Sequence, residues 1–150
     1  MHVVIMAGGK GTRLAQVNSE LPKPMVPVFG KPILEWQIRC LCAQGFRRIT
    51  IVTGHLREKI RDYFQDGSAF GAKIDYFEEA EPLGTAGALF ALKSRLTDDF
   101  LLLNGDILFN VDVNRFVSFH RNSGAAATLF THPNDHPFDS GIVIADSSGR

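Results

Sequence analysis

The stretch VVIMAGGKGTRL, residues 3–14, joins an apolar run to a loop that holds three glycines, one lysine and one arginine. A short apolar run of this kind is typical of a buried β-strand, and the glycines mark the point where that strand ends. Glycine lets another molecule approach the backbone, while Lys10 and Arg13 add positive charge beside exposed amide groups. The stretch therefore predicts either a phosphate-binding loop or an ordinary glycine-rich turn.

Two common phosphate-binding motifs do not fit this loop. A Walker A motif, GxxxxGK[ST], with Lys10 as its lysine would need a glycine at position 4 and a serine or threonine at position 11. The chain has Val4 and Gly11 there. The dinucleotide fingerprint GxGxxG would start at Gly9 and needs a glycine at position 14, which is Leu14. If the loop binds phosphate, it does so through another pattern.

Further apolar runs alternate with segments of helical periodicity along the rest of the chain. We predict strands at residues 3–6, 48–53, 73–77, 100–104, 126–131 and 141–145. The first predicted helix starts at Pro32, carries Leu34, Ile38 and Leu41 on one stripe and stops at Gly45. Three more are expected at about 56–64, 85–96 and 112–121. This order predicts an α/β fold with a doubly wound, mostly parallel, Rossmann-like sheet.

Composition sets limits on what such a domain does. The 150 residues are 45% hydrophobic, enough for one packed core, and 16 acidic residues balance 16 basic ones. Neutral overall charge argues against nucleic acid or anionic lipid as a partner, although a local anion site remains open. Because the sequence shows neither a membrane-spanning stretch nor a signal peptide, we expect a cytoplasmic protein.

In such a sheet ligands bind at the carboxyl edge, which would be shared by the segments that follow the first four predicted strands: GGKGTRL, GH, the loop through EEAEPLGTAGAL, and NGD. The LPKP motif is a separate candidate. In LPKP, residues 21–24, two prolines pre-set the backbone around Lys23, which suits either an anionic transition state or a stiff solvent-facing turn. NGD, residues 104–106, is a turn that brings Asp106 to this edge. A carboxylate beside phosphates would need a hard cation such as Mg²⁺ between them.

The segment EPLGTAGAL, residues 81–89, combines a glycine turn with the start of a helix built from small residues. Backbone amides at that helix end could approach a ribose or base closely. Tight packing of helix on sheet explains Gly87 and Ala88 equally well. Both interpretations stay open from the sequence.

Taken in order, MAGGKGTRL, LPKPMVPVFGKPILEW, EPLGTAGAL and LLLNGDILF resemble the sugar-phosphate nucleotidylyltransferases, above all the mannose-1-phosphate and heptose-1-phosphate guanylyltransferases. The likeness runs from Met1 to the GIVI segment at 141–144. It implies a reaction in which a sugar 1-phosphate attacks the α-phosphorus of a nucleoside triphosphate and pyrophosphate leaves. The product would serve as a donor for polysaccharide synthesis.

The resemblance also implies roles for individual residues. Gly8, Gly9, Gly11 and Thr12 would approach the nucleotide, as would Gly84 and Thr85. Arg13 would hold the departing pyrophosphate, and Lys23 would bridge the α-phosphate and the sugar phosphate as the second catalytic residue. Asp106 matches a magnesium ligand, so the implied cofactor is Mg²⁺. Asn104, Gly105 and Gly141 match positions beside the sugar.

The base is less directly indicated. Aligning Gly84 with the family's glycine places Glu79 where relatives that use thymidine or uridine nucleotides carry an amide. Guanine presents two adjacent donors that one carboxylate can accept, which favours GTP over UTP, dTTP and CTP. Glu78 and Glu81 are rival candidates, and a solvated glutamate cluster is the alternative.

The family's second metal-binding aspartate and its sugar-holding glutamate–lysine pair fall beyond residue 150. We therefore interpret residues 1–150 as the N-terminal, nucleotide-binding part of a nucleotidyltransferase domain that is truncated here, and we expect weak turnover from this part alone. A non-catalytic, nucleotide-sugar-binding regulatory subunit is the main alternative. Glycosyltransferases share the architecture, but no Asp-x-Asp metal motif is found. A homo-oligomer is possible because relatives often self-associate.

Overall fold

A computed structural model describes residues 1–9, 21–81, 83–133, 141, 143–144 and 146. The chain divides into two compact units, Met1–Val113 and Asn114–Arg150. In the part of the chain that is described, no helix has the length and apolar character needed to cross a lipid bilayer.

The first unit is built on a parallel sheet. Its four strands are β1 (His2–Met6), β4 (Arg48–Thr53), β5 (Lys73–Glu78) and β6 (Phe100–Asn104), in the spatial order β5-β4-β1-β6. Val3 of β1 is aligned with Ile49 on one side and Leu101 on the other. A separate two-stranded hairpin, β2 (Pro27–Val28) and β3 (Lys31–Pro32), turns through Phe29 and Gly30, both at positive φ.

Helices connect the parallel strands. They are α1 (Ile33–Ala43), α2 (Arg57–Phe64) and α3 (Gly84–Ala91), while α4 (Val113–Ser123) follows β6 and begins at the last residue of the first unit. Short 3-10 turns occupy Lys23–Met25, Ser68–Phe70 and Lys93–Arg95. Helix α1 is followed by Gly45 at φ 91°, a conformation that glycine adopts without strain.

Both faces of the sheet are apolar, as buried parallel strands require. On one face, Val4 and Val52 form a buried cluster with Ala88 and Leu92, at and just beyond α3. Side chains alternate along a strand, so Val3 and Ile5, which are fully buried, point to the opposite face. The buried stripe of α1 consists of Leu34, Ile38 and Leu41. The amino-acid pattern that predicted four parallel strands and their connecting helices is thus confirmed.

Three expectations need correction. Residues 126–131 are not a strand, and neither are Gly141, Val143 and Ile144, while positions 142 and 145 lie outside the described residues. A strand needs a hydrogen-bonded neighbour, and instead Thr128 bonds the His120 ring at 2.8 Å and Phe130 packs edge-on against Phe116. Pro32 belongs to β3 and precedes α1, because its ψ of 145° is extended rather than helical.

Candidate active site

The strand order places a topological switch point at the carboxyl ends of β1 and β6. From β1 the chain continues to β4 and β5 on one side, and then returns to place β6 on the other side of β1. Connections that run in opposite directions from a central strand leave a crevice there, and ligands of α/β sheets bind in it. The segments that follow these two strands, Ala7–Gly9 and 104–106, are therefore the natural starting point for a site.

Gly105 fixes the turn after β6 against the end of β1. Its N–H donates a 2.8 Å hydrogen bond to the Met6 carbonyl oxygen. A Cβ at this position would lie only 3.0 Å from that oxygen and 3.4 Å from the Ala7 Cβ. A side chain would therefore force the two segments apart, and the glycine keeps Asp106 at the crevice.

The two prolines around Lys23 are buried and hold the lysine in place. The Met25 N–H donates to the Pro22 carbonyl oxygen at 2.8 Å, which closes a single 3-10 turn. The Cγ of Pro24 lies 3.1 Å from where a Gly105 Cβ would be, so this ring packs on the same glycine that anchors the Asp106 turn. The rigid turn predicted from the sequence is thus docked beside Asp106.

Lys23 and Asp106 form an ion pair across this crevice. The Lys23 Nζ lies 3.8 Å from the Asp106 Oδ2, and the two side chains are 28% and 45% exposed. Charged groups that share a proper hydrogen bond approach to about 2.8 Å, so this pair is held by charge alone. Both groups can therefore turn to a ligand that enters the crevice.

Glu79 lies at the carboxyl end of β5 and is buried. Its Oε1 accepts a 3.2 Å hydrogen bond from the Leu83 N–H, just before α3, and a Cβ on Gly8 would collide with its Oε2. Its own N–H donates to the Thr53 carbonyl oxygen at 2.8 Å. The carboxylate thus lies directly against the glycine loop that follows β1.

The rival glutamates lie in different surroundings. Glu78 accepts a 2.8 Å hydrogen bond from Arg61 and forms a 3.6 Å ion pair with Arg57, both on α2. Glu81 is exposed. Of the three glutamates, Glu79 is the one whose described contacts reach the glycine loop.

The beginning of α3 combines the two properties left open by the sequence. Gly84 has φ 68° and is exposed together with Thr85, so this end of the helix is accessible. Gly87 has a packing role, because a Cβ there would lie 2.8 Å from the Leu83 Cβ, and Ala88 is fully buried.

Several predicted site residues cannot be placed in the crevice. Gly11, Thr12 and Arg13 lie outside the described residues. Gly141 belongs to the second unit, where it is exposed. The crevice described here therefore consists of Gly8, Gly9, Lys23, Glu79, and residues 104–106.

One residue at this site was not predicted from the sequence. Gln37 of α1 donates hydrogen bonds to the main chain on both sides of Asp106, at Asn104 and Ile107. The available signal was a polar residue at the i+3 position from Leu34, inside the apolar stripe of α1.

The donor chemistry suits a magnesium ion in one respect. Asp106 offers a partly exposed carboxylate, and Mg²⁺ is commonly held by one or two carboxylates together with water and substrate phosphates. No cluster of three or more histidine, cysteine or acidic side chains occurs among the described residues. An all-protein metal cage is thus not found in that part of the chain, whereas a site shared with a phosphate ligand is compatible with it.

The crevice at this switch point, lined by glycines, a lysine and an aspartate, defines an open parallel α/β protein whose ligand site is expected at the carboxyl edge of the sheet. The family model described as nucleotidyl transferase matches residues 2–150, so the chain belongs to the nucleotidyl transferase family. The family resemblance drawn from the motifs is confirmed.

Relatives within the family differ in the nucleotide that their names specify. The chain is 38% identical, over 99% of its length, to D-glycero-alpha-D-manno-heptose 1-phosphate guanylyltransferase of Aneurinibacillus thermoaerophilus, and covers 64% of it. It is 35% identical, over 100% of its length, to UTP--glucose-1-phosphate uridylyltransferase of Synechocystis sp., and covers 42% of it. The chain thus spans about half the length of these relatives.

The fold agrees with solved structures. The crystal structure of HddC from Yersinia pseudotuberculosis complexed with GMP-PN has a TM-score of 0.71 to this chain and 36% sequence identity. The similarity covers 79% of this chain and 54% of that one. The mostly parallel α/β fold predicted from the sequence is therefore confirmed.

Proposed function

We propose that the chain is the nucleotide-binding part of a sugar-1-phosphate nucleotidylyltransferase, which joins a nucleoside triphosphate to a sugar 1-phosphate and releases pyrophosphate. The observation that carries this proposal is the approach of Lys23 and Asp106 at the switch point of a nucleotidyl transferase fold. Neither group is saturated by hydrogen bonds from described residues, so both are available to a charged ligand.

In the proposed reaction an oxygen of the sugar phosphate attacks the α-phosphorus, and the bond from that phosphorus to the bridging oxygen of pyrophosphate breaks. Both reactants are anions, so the protein contributes mainly position and positive charge. We propose that Lys23 neutralises the α-phosphate and that the nucleotide approaches the backbone at Gly8 and Gly9, where a glycine permits close contact. Arg13 is proposed to hold the leaving pyrophosphate.

Asp106 is the proposed ligand of Mg²⁺. When bound, the ion would supply positive charge to the phosphate oxygens and lower the repulsion between them and the carboxylate. Gly105 anchors the turn that carries this carboxylate, and the Lys23 Nζ lies 3.8 Å from its Oδ2. The proposed ligand of the ion and the proposed catalytic cation are therefore neighbours. This makes the proposed activity dependent on a divalent cation.

We further propose GTP as the nucleotide. Glu79 lies against Gly8, and with one oxygen bonded to the Leu83 N–H the carboxylate still has capacity to accept hydrogen bonds. Guanine offers adjacent N1–H and N2–H₂ donors that such a group can accept, whereas uracil and thymine offer a donor next to an acceptor. A mannose-like or heptose-like sugar 1-phosphate is the proposed second substrate.

The activity is tested by measuring pyrophosphate release from the full-length protein with Mg²⁺, mannose 1-phosphate and, in separate assays, GTP, UTP, dTTP and CTP. We expect release that requires both the sugar phosphate and the cation and is fastest with GTP. Tight nucleotide-sugar binding without pyrophosphate release from any triphosphate would contradict the proposal and support a regulatory subunit.

The base preference has its own test. Glu79→Gln replaces one acceptor oxygen by a donor, so we expect the ratio of kcat/KM for GTP to that for UTP to fall by about tenfold or more. Glu78→Gln is the matched control, because Glu78 pairs with arginines of α2 and should leave the ratio unchanged. An unchanged ratio in Glu79→Gln would show that this carboxylate does not read the base.

A further inference from the structure

The turn that carries Asp106 is held in place by one buried side chain, that of Gln37. The Gln37 Nε2 donates to the Asn104 carbonyl oxygen at 2.8 Å and to the Ile107 carbonyl oxygen at 2.6 Å. These two carbonyls flank Gly105 and Asp106 in the sequence. A single amide group therefore joins both ends of the turn.

Gln37 occupies a position where an apolar residue would be expected. It is 1% exposed and lies on the buried stripe of α1 with Leu34, Ile38 and Leu41. Its Oε1 is buried and has no hydrogen-bond partner among the described residues. Burying an amide oxygen without a hydrogen-bond partner costs free energy that a leucine or methionine at this position would not cost. The two hydrogen bonds that Gln37 donates are therefore what this residue provides and an apolar residue could not.

A second glutamine, Gln44, directly follows α1 and binds the same connection further along the chain. Gln44 lies two helical turns after Gln37, and its Oε1 accepts a 2.7 Å hydrogen bond from the Val113 N–H. Its Nε2 donates to the Val111 carbonyl oxygen at 3.2 Å. The segment between β6 and α4 is thus secured at two points, by Gln37 of α1 and by Gln44 just after this helix. Of these two points, the one at Gln37 is beside Asp106.

We propose that Gln37 is a positioning residue for the metal-binding carboxylate: it fixes the 104–107 turn so that Asp106 stays at the crevice beside Lys23. Gln37 itself touches neither Lys23 nor Asp106 in the described contacts. It acts through the backbone on either side of the aspartate, while Gly105 secures the same turn to β1. This inference rests on the proposed function for its kinetic consequence, but its structural part can be measured without it.

The experiment compares Gln37→Met with Gln44→Met in the full-length protein. Methionine is close to glutamine in length and volume and cannot make its hydrogen bonds. Each variant therefore loses side-chain hydrogen bonds to the main chain, beside Asp106 for Gln37 and further along the segment for Gln44. Amide hydrogen exchange is measured at Gly105 and Val113, and pyrophosphate release is measured as a function of Mg²⁺ concentration. Thermal melts confirm that each variant is folded, and Gln37→Leu replaces Gln37→Met if the latter does not melt cooperatively.

We expect Gln37→Met to speed exchange at Gly105 and to raise the Mg²⁺ concentration for half-maximal activity by about tenfold, with the KM for the sugar phosphate little changed. Gln44→Met should speed exchange at Val113 and leave the Mg²⁺ dependence as in the wild type. In addition, Gln37→Met should have no further effect on the rate when Asp106 is already replaced by alanine.

Equal shifts of Mg²⁺ dependence in both variants, or unchanged exchange at Gly105 in Gln37→Met, would overturn the positioning role. A wild type that releases no pyrophosphate would instead refute the proposed function. In that case, the exchange comparison at Gly105 alone decides whether Gln37 holds the turn.

Discussion

Two charged clusters in the first unit differ in almost every physical respect. Glu35 on α1 is 2% exposed, and its two oxygens accept 2.6 Å hydrogen bonds from the Arg39 Nε and the Tyr63 hydroxyl. Lys23 and Asp106 face each other across 3.8 Å and are partly exposed. In the first cluster, called the closed cluster below, both oxygens of Glu35 are satisfied by hydrogen bonds from Arg39 and Tyr63. In the second, the open cluster, Lys23 and Asp106 share an ion pair without a hydrogen bond and can still bind a ligand.

The pKa of Glu35 reflects the hydrogen bonds that this carboxylate accepts. Burial would raise the pKa of Glu35, but the hydrogen bonds from Tyr63 and Arg39 outweigh it and lower that pKa below its usual value. The same contact raises the pKa of Tyr63. A buried carboxylate that accepts two hydrogen bonds links α1 to α2 and contributes to stability. We therefore expect mutations in the closed cluster to lower stability and mutations in the open cluster to lower activity.

The largest expected effect is on catalysis at the open cluster. Lys23→Ala removes the cation that we propose to neutralise the reacting phosphate, and we expect nucleotidyl transfer to fall by about 10²- to 10³-fold without loss of fold. Lys31→Ala is the matched control, because Lys31 stacks 5.0 Å from the Trp36 ring centre and should leave the rate near wild type. Pyrophosphate release and circular dichroism measure the two properties, and wild-type turnover in Lys23→Ala would break the comparison.

The next effect is on stability at the closed cluster. Glu35→Ala leaves the Tyr63 hydroxyl and Arg39 without their acceptor, and we expect the free energy of unfolding to fall by about 2 kcal/mol. Half of the Arg39 side chain is exposed, which limits the loss. Urea denaturation measures it, with pyrophosphate release as the companion assay. A variant as stable as the wild type but much slower would mean that Glu35 belongs to the active site.

The smallest effect concerns acid sensitivity. The pKa of Glu35 is lower in the folded than in the unfolded protein, where its ordinary value is 4.5, so the unfolded chain takes up a proton first as the pH falls. Its contribution to stability is present above about pH 4.5 and is lost as the pH falls through the lower folded value. Glu35→Gln should therefore lose less Tm than the wild type between pH 6 and 3.5, and parallel Tm curves would contradict this account.

The sequence predicted the sheet well because its signals are local. Residues 49–53 are all β-branched and are followed by Gly54, and the chain has a strand there, Arg48–Thr53. Residues 126–131 carry a similar local signal but form no strand, since pairing depends on a neighbour that local pattern cannot specify. The Phe29–Gly30 turn of the hairpin was missed because phenylalanine rarely adopts its φ of 50°.

For the candidate site, the sequence indicated Lys23 and Asp106 but not Gln37. The NGD turn was predicted to bring Asp106 to the carboxyl edge of the sheet, and the family resemblance implied that Lys23 acts at the same ligand. The structure brings the two side chains to within 3.8 Å of each other. Gln37 was not anticipated because its importance comes from two backbone carbonyls 67 and 70 residues away. Contacts of this range exist only once the chain has folded. The roles of Arg13 and Thr12 remain predictions from the sequence.

We propose that Lys23 and Asp106 act on one shared ligand, a metal-bound triphosphate. A crystal structure of the full-length protein with Mg²⁺ and a non-hydrolysable GTP analogue would show whether they do. We expect the triphosphate in the crevice at the carboxyl ends of β1 and β6, with the Lys23 Nζ on a phosphate oxygen and the metal on the Asp106 carboxylate. A nucleotide bound elsewhere, with Lys23 and Asp106 still facing only each other, would contradict it.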